Sequence, residues 1–234
     1  MARAPACRVA MKVRFMQKKF LRTAIVLGLL SAIGPFAIDM YLPALPTIGQ
    51  DLHASTAAVQ MSLLVFFLSM GVGQIVVGPL SDMFGRRAPL LGGLALFVAG
   101  SIGSALAPTI EWLIAFRVLQ GLGACAGMVV PRAVVRDLHT GSDAARLMSL
   151  LMLVFSVSPI LAPLTGSVVI EAFGWRAVFW SVMIAALIAM VLLITSLQET
   201  RPQEARAGSS MRGALAGYGL LLKDGNFLGL TFIG

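Results

Sequence analysis

Gly78-Pro79-Leu80-Ser81-Asp82-Met83-Phe84-Gly85-Arg86-Arg87 lies where one charge-free apolar run, Ala54–Ser81, ends and the next, Ala88–Ile110, begins. A helix crosses the roughly 30 Å of membrane hydrocarbon with about 20 mostly apolar residues. Both runs are that long, so the stretch between them must turn the chain at a membrane surface. Its glycines allow a tight reversal, Asp82 is placed to cap a helix end, and the arginine pair holds the turn in the cytoplasm. A simple topology anchor accounts for Arg86 and Arg87. It does not account for an acid at Asp82 between two glycines.

Four further runs of spanning length lie outward from this turn: Thr23–Tyr41 with one internal acid, Asp39; Trp112–Pro131 with one base, Arg117; Leu147–Ile170; and Ala177–Gln198. The composition agrees. Of 234 residues 58% are hydrophobic and 12% charged, with a mean hydropathy of +0.91, whereas soluble chains run near a quarter charged. The net charge of +8 would suit a nucleic-acid partner if the bases formed one patch, but they fall between apolar blocks. Two cysteines (Cys7, Cys125) and two histidines (His53, His139) make neither a disulfide scaffold nor a metal site, and both thiols read as free. The chain reads as an all-α polytopic membrane protein.

The basic residues set its orientation. Sixteen of the eighteen fall on one side of the six runs, leaving only Arg176 opposite and Arg117 within a span. That side is cytoplasmic and includes the amino terminus. The basic start resembles a signal peptide, but no small-x-small cleavage site follows it, so the first run is a retained helix. Met11 and Met16 are alternative starts. The expected organisation is a basic cytoplasmic tail over 1–21, a six-span bundle over 22–198, and a cytoplasmic linker over 199–225. Within that linker Gly213–Leu222 forms a helix at the membrane surface. A truncated seventh span occupies 226–234.

Phe84-Gly85-Arg86-Arg87-Ala88 recurs 89 residues later as Phe173-Gly174-Trp175-Arg176-Ala177. Three spans separate the copies, so they face opposite sides. This is the pattern of a three-plus-three inverted repeat, as in many secondary transporters.

Asp39 and Arg117 are the candidates for chemistry, because an ionisable group inside a span needs a cavity or a partner. Asp39 lies about 25 Å along its helix from Arg22, and Arg117 about 9 Å from the outer end of its own. Both fall in the outer third of the membrane, so the two are expected to pair. The structural alternatives are an interfacial acid and a snorkelling arginine. Gln120, Gly121 and Ala124 share the helix face of Arg117, and Gly123 with Gly127 forms a small-xxx-small pair for close helix contact. In the fifth run, Pro159 and Pro163 share a face and free backbone carbonyls at successive turns, which predicts a bend or a packing kink.

These motifs carry a resemblance. Gly78, Leu80, Ser81, Asp82, Gly85, Arg86 and Arg87 match the loop signature G-x-L-S-D-R-x-G-R-R of the major facilitator superfamily, with Met83 in place of its first arginine. Arg117-Val118-Leu119-Gln120-Gly121 resembles the fourth-span signature, and Ile38–Pro46 is similar to the end of span one in drug exporters. Pro159-Ile160-Leu161-Ala162-Pro163-Leu164-Thr165-Gly166 resembles the antiporter signature, with Ala162 and Ser167 where glycines are usual. The chain thus resembles the amino-terminal half of a proton-coupled drug exporter of the bicyclomycin-resistance (Bcr/CflA) type.

The resemblance implies alternating access, with two six-helix bundles rocking in a bacterial inner membrane to expel small amphipathic drugs. Asp39 would be the proton-responsive acid, with Arg117 and Gln120 tuning it and the substrate. Gly78, Asp82, Gly85, Arg86 and Arg87 would form the cytoplasmic gating loop, and Pro159, Ala162, Pro163 and Gly166 would shape the moving fifth helix. The proton gradient drives the cycle without a cofactor or metal. The partners are lipid, drug, protons and a missing carboxy-terminal half, with no nucleic acid. The chain is expected to be a fragment that does not transport alone and is not an enzyme. The alternatives are a metabolite carrier of the same fold and a non-transporting membrane subunit.

Overall fold

A computed structural model of the chain describes residues 4–221, 223, 225 and 229, with side chains described from residue 20 onward. The expected seventh span, 226–234, lies outside the described residues apart from residue 229, and the side chain of Cys7 also lies outside them. Among the described residues nine α-helices follow in order: α1 Ala4–Asp39, α2 Leu45–Asp51, α3 Thr56–Met83, α4 Arg87–Ala105, α5 Ile110–Leu138, α6 Gly141–Phe173, α7 Arg176–Ser196, α8 Gln203–Ala207 and α9 Met211–Leu221. There is no strand among the described residues. The protein is an integral membrane protein, and its described residues contain six spans: α1 running on into α2, and then α3 to α7. Since α1 is continuous from Ala4, no helix break separates the basic tail from the first span.

Local chemistry sets the helix ends. The hydroxyl of Ser55 accepts the N–H of Ala58 to start α3. α3 and α6 stop before Gly85 and Gly174, whose φ angles of 87° and 80° suit glycine. These are the two glycines of the repeated pentapeptide, so the repeat in sequence is also a repeat of backbone conformation. The helix neighbours obey it too: α3 and α4 pack on α5 as α6 and α7 pack on α1, and α4 meets α7 across the exchange.

Small residues let α5 sit at the centre, as packing in lipid requires. A Cβ at Gly127 would come within 2.5 Å of the Leu30 carbonyl of α1, and one at Gly123 within 2.6 Å of the Gly93 carbonyl of α4. The small-xxx-small pair therefore serves two neighbours rather than one. One buried cluster fills the bundle with residues from α1 and from α3 to α7. A second, with Tyr41, Ile48, Leu113, Trp175 and Phe179, closes the end opposite the amino terminus.

α6 is helical through both Pro159 and Pro163. Its buried face is Leu147, Leu151, Ser158, Ala162 and Gly166, turned to α1, with Gly166 against the Met40 backbone. In α3, Pro79 has no N–H to offer the Ile75 carbonyl one turn back. The hydroxyl of Tyr218 on α9 donates to that carbonyl instead, at 3.2 Å. The segment read as a polar linker thus contains a short helix, α8, and a second one docked on α3.

Candidate functional site

Arg117 lies wholly inside the bundle, with no exposed surface. Its Nη1 donates to the Gln120 side-chain oxygen one turn on, at 2.7 Å, and to the Ala37 carbonyl of α1, at 3.3 Å. Gln120 passes the contact to Ser101 on α4 at 2.8 Å, and Ser101 donates to the Phe97 carbonyl. The guanidinium carbon lies 4.2 Å from the ring centroid of Phe66, 4.5 Å from that of Tyr41 and 5.9 Å from that of Phe179. Tyr41 shares a 2.5 Å hydrogen bond with Ser62. Ring faces attract a cation, and more strongly once water is gone. Even so, Nε and Nη2 of Arg117 are buried without a partner.

Among the described residues no ion pair joins Asp39 to Arg117. The expected pairing is not made, although the two residues match in depth. Arg117 grips α1 at Ala37 and faces Tyr41 one turn on. Asp39 is two residues from Ala37, a rotation of about 200°. It sits on the strip of Leu21, Ile25, Ala32 and Leu42, which is exposed or half-exposed. Depth follows from counting residues; direction around the helix depends on what packs on each side.

A second buried guanidinium lies at the end where the amino terminus begins. Arg86, 4% exposed, donates through Nε to Asp137 at 2.7 Å, and through Nη1 to Ser81 at 2.8 Å and Asp82 at 2.9 Å. Asp82 also pairs with Arg201 at 2.8 Å. The carboxylate that caps the start of α4 is Glu199, from beyond α7, while Asp82, expected to cap a helix end, pairs with Arg86 and Arg201. The Glu199 carboxylate accepts the backbone N–H groups of Arg86 at 2.8 Å and Arg87 at 3.1 Å, where the helix dipole favours negative charge. Burial alone would raise the pKa of Glu199. The N–H groups of Arg86, Arg201 and Arg87 and the charge of Arg206 outweigh it and hold the carboxyl below the usual range. Burial opposes the charge of Arg86 as well, but Asp137 and Asp82 outweigh it, so its pKa is raised. A Cβ at Gly85 would meet the Glu199 carboxylate oxygen at 2.5 Å. Arg87 donates to the Ile194 carbonyl at the end of α7.

The structure therefore brings Asp82, Gly85, Arg86 and Arg87 of the loop motif together, with Gly78 beneath the Tyr218 hydroxyl. It brings Arg117 and Gln120 together, and leaves Asp39 apart. Pro159, Ala162, Pro163 and Gly166 meet neither arginine; Ala162 and Gly166 pack toward α1. Sequence reasoning missed the Tyr41, Phe66 and Phe179 cage, whose rings look like ordinary apolar residues. It also missed Asp137, Glu199 and Arg201. For Asp137 a signal existed: Asp137-Leu138-His139 repeats Asp51-Leu52-His53. Among the described residues no group of three or more His, Cys, Asp or Glu side chains is placed to hold a metal.

Comparison with known proteins matches residues 27–234 to the Major Facilitator Superfamily. An uncharacterized MFS-type transporter of Bacillus subtilis, YdgK, is 43% identical over 214 residues, covering 91% of this chain and 53% of that protein. A bicyclomycin resistance protein homolog of Haemophilus influenzae is 32% identical over 216 residues, covering 92% of this chain and 54% of its own length. The chain thus spans about half the length of the curated relatives it matches. Among solved structures, the inward-open xylose transporter XylE of Escherichia coli superposes with a TM-score of 0.67 at 18% identity, over 80% of this chain and 51% of that one. At that identity the likeness concerns the fold alone.

Proposed function

The chain belongs to the Major Facilitator Superfamily, and from that premise we propose that it serves proton-coupled export of small amphipathic drugs across a bacterial inner membrane. Its six spans would rock against a second six-helix bundle, with the amino terminus and the Arg86 end in the cytoplasm. The excess of arginine and lysine at that end supports the orientation. The likeness to a bicyclomycin resistance protein homolog supports the substrate class.

One observation carries the mechanism: a fully buried guanidinium, with no carboxylate partner among the described residues, holds the helix turn that presents a half-exposed carboxylic acid. Asp39 is the proton-responsive group. Its open side can exchange protons and face a charged drug. Arg117 is enclosed by its own bundle even on the side where a second bundle would pack, so it does not contact the drug. It acts from behind, gripping the Ala37 carbonyl so that a change in charge on the last turn of α1 is felt by α4 and α5 through Gln120 and Ser101. Arg86, Asp82, Asp137 and Glu199 lock the cytoplasmic turn so that the six spans move as one body.

The test is drug-driven proton movement in vesicles carrying the protein as its gene encodes it. Asp39→Asn abolishes the movement while leaving the thermal unfolding of the purified protein unchanged. Full proton coupling in Asp39→Asn would remove Asp39 from the role and the mechanism with it.

A further inference from the structure

At each end of the bundle, an acid at the end of the first span of one three-helix repeat reaches the turn of the other repeat. At the inner end Asp137, closing α5, takes Arg86 of the α3–α4 turn. At the outer end Asp51, closing α2, takes both residues of the α6–α7 turn. Trp175 Nε1 donates to its Oδ2 at 3.0 Å, and Arg176 pairs with the same oxygen at 2.5 Å. Asp51 and Asp137 open the two copies of Asp-Leu-His, 86 residues apart, close to the 89 between the two Phe-Gly-x-Arg-Ala turns. Trp175 stands where Arg86 stands in the other copy, an indole N–H in place of a guanidinium.

We propose that Asp51, Trp175 and Arg176 form an outer clip, the inverted-repeat counterpart of the Arg86–Asp137 contact, and that this clip positions the aromatic cage around Arg117. Trp175, 5% exposed, packs edge-on against Phe179 with centroids 6.1 Å apart. Phe179 in turn lies 5.7 Å from Tyr41 and 5.9 Å from the Arg117 guanidinium. One aromatic layer thus separates the clip from the buried cation. A buried indole needs an acceptor for its N–H, and Asp51 supplies it, which fixes the ring's tilt. Arg176 adds a cation–π contact 4.2 Å above Trp175 and a hydrogen bond to the Ala107 carbonyl of the α4–α5 turn. Its ion pair with Asp51 is 40% and 49% exposed, and pairs that open to water contribute little. The hydrogen bond to Trp175, not the ion pair, is the positioning contact. The clip bears on Arg117 whatever is carried, so loss of the drug–proton reading leaves it standing.

The experiment uses the protein as its gene encodes it, in nanodiscs, with Trp112, Trp180 and any tryptophan outside these 234 residues replaced by Phe, so that the emission reports Trp175. Asp51→Ala shifts the Trp175 emission, whereas Asp51→Asn, which keeps an acceptor oxygen, retains it. In unfolding measurements Asp51→Ala crossed with Arg117→Gln is non-additive by at least about threefold in the unfolding constant, while Asp137→Ala crossed with Arg117→Gln is additive. If Arg117→Gln does not fold, Phe179→Leu takes its place in both crosses. Unchanged emission in Asp51→Ala, equal shifts in Asp51→Ala and Asp51→Asn, or additivity in the outer cross would each overturn the proposal.

Discussion

Among the described residues two guanidinium groups, those of Arg86 and Arg117, are removed from water, and their surroundings are opposite. Arg86 meets two carboxylates and a hydroxyl, while Arg117 meets three rings, an amide oxygen and one backbone carbonyl. A buried charge that is fully paired holds structure in place, and removing it strands its partners. A buried charge left without a counter-ion is retained at a standing cost. On the function proposed above, Arg86 is the structural tie and Arg117 the working residue.

The comparison predicts unequal responses to loss of each charge. Arg86→Ala leaves Asp137 without its cation, while Asp82 keeps Arg201, and destabilises the bundle by about 3 kcal/mol in detergent unfolding; a loss well under 1 kcal/mol would show that water already satisfies Asp137. Gly85→Ala costs about 2 kcal/mol, because the φ of 87° is strained for alanine and the new Cβ meets Glu199. Gly174→Ala at the equivalent turn costs less, since its Cβ would meet open space. Equal losses would mean that Glu199 simply moves aside.

Arg117→Met should behave in the opposite sense to Arg86→Ala. Exchanging an unpaired buried cation for an apolar chain of similar length leaves stability unchanged or raised by about 1 kcal/mol, while drug-driven proton movement is lost. Destabilisation comparable to that of Arg86→Ala would erase the distinction between the two arginines. The smallest effect belongs to Glu199→Gln, about 0.5–1 kcal/mol at neutral pH. The pKa of Glu199 is lowered in the folded protein, so its contribution is present above the ordinary glutamate range and is lost as pH falls through the folded value. Unfolding followed against pH should show the parent and Glu199→Gln converging in acid. A gap that persists there would place the effect in packing rather than charge.

Much of the architecture was legible before any coordinates. Thr56–Met83 was visible as Ala54–Ser81, and the turn at Gly85 was visible from its glycine and paired arginines. Arg117 and Gln120 were visible as neighbours because one turn of a single helix joins them. The partner of Arg117 was not. Asp39 has the right charge and depth, yet Tyr41, two residues on, holds the position over the guanidinium. Glu199 looked like the first polar residue of a linker, and only folding carries it back to the start of α4.

By itself the amino-acid order determined the six spans, the two inverted copies and the residues that carry charge into the membrane. Those properties are local, set by hydropathy along the chain and by glycine at the turns. Tertiary structure decided which side of α1 faces Arg117, which acids close on Arg86, and that Asp51 reaches Trp175. Each of those contacts depends on how helices distant in sequence rotate against one another, and that rotation is set by small residues and rings contributed from several helices at once.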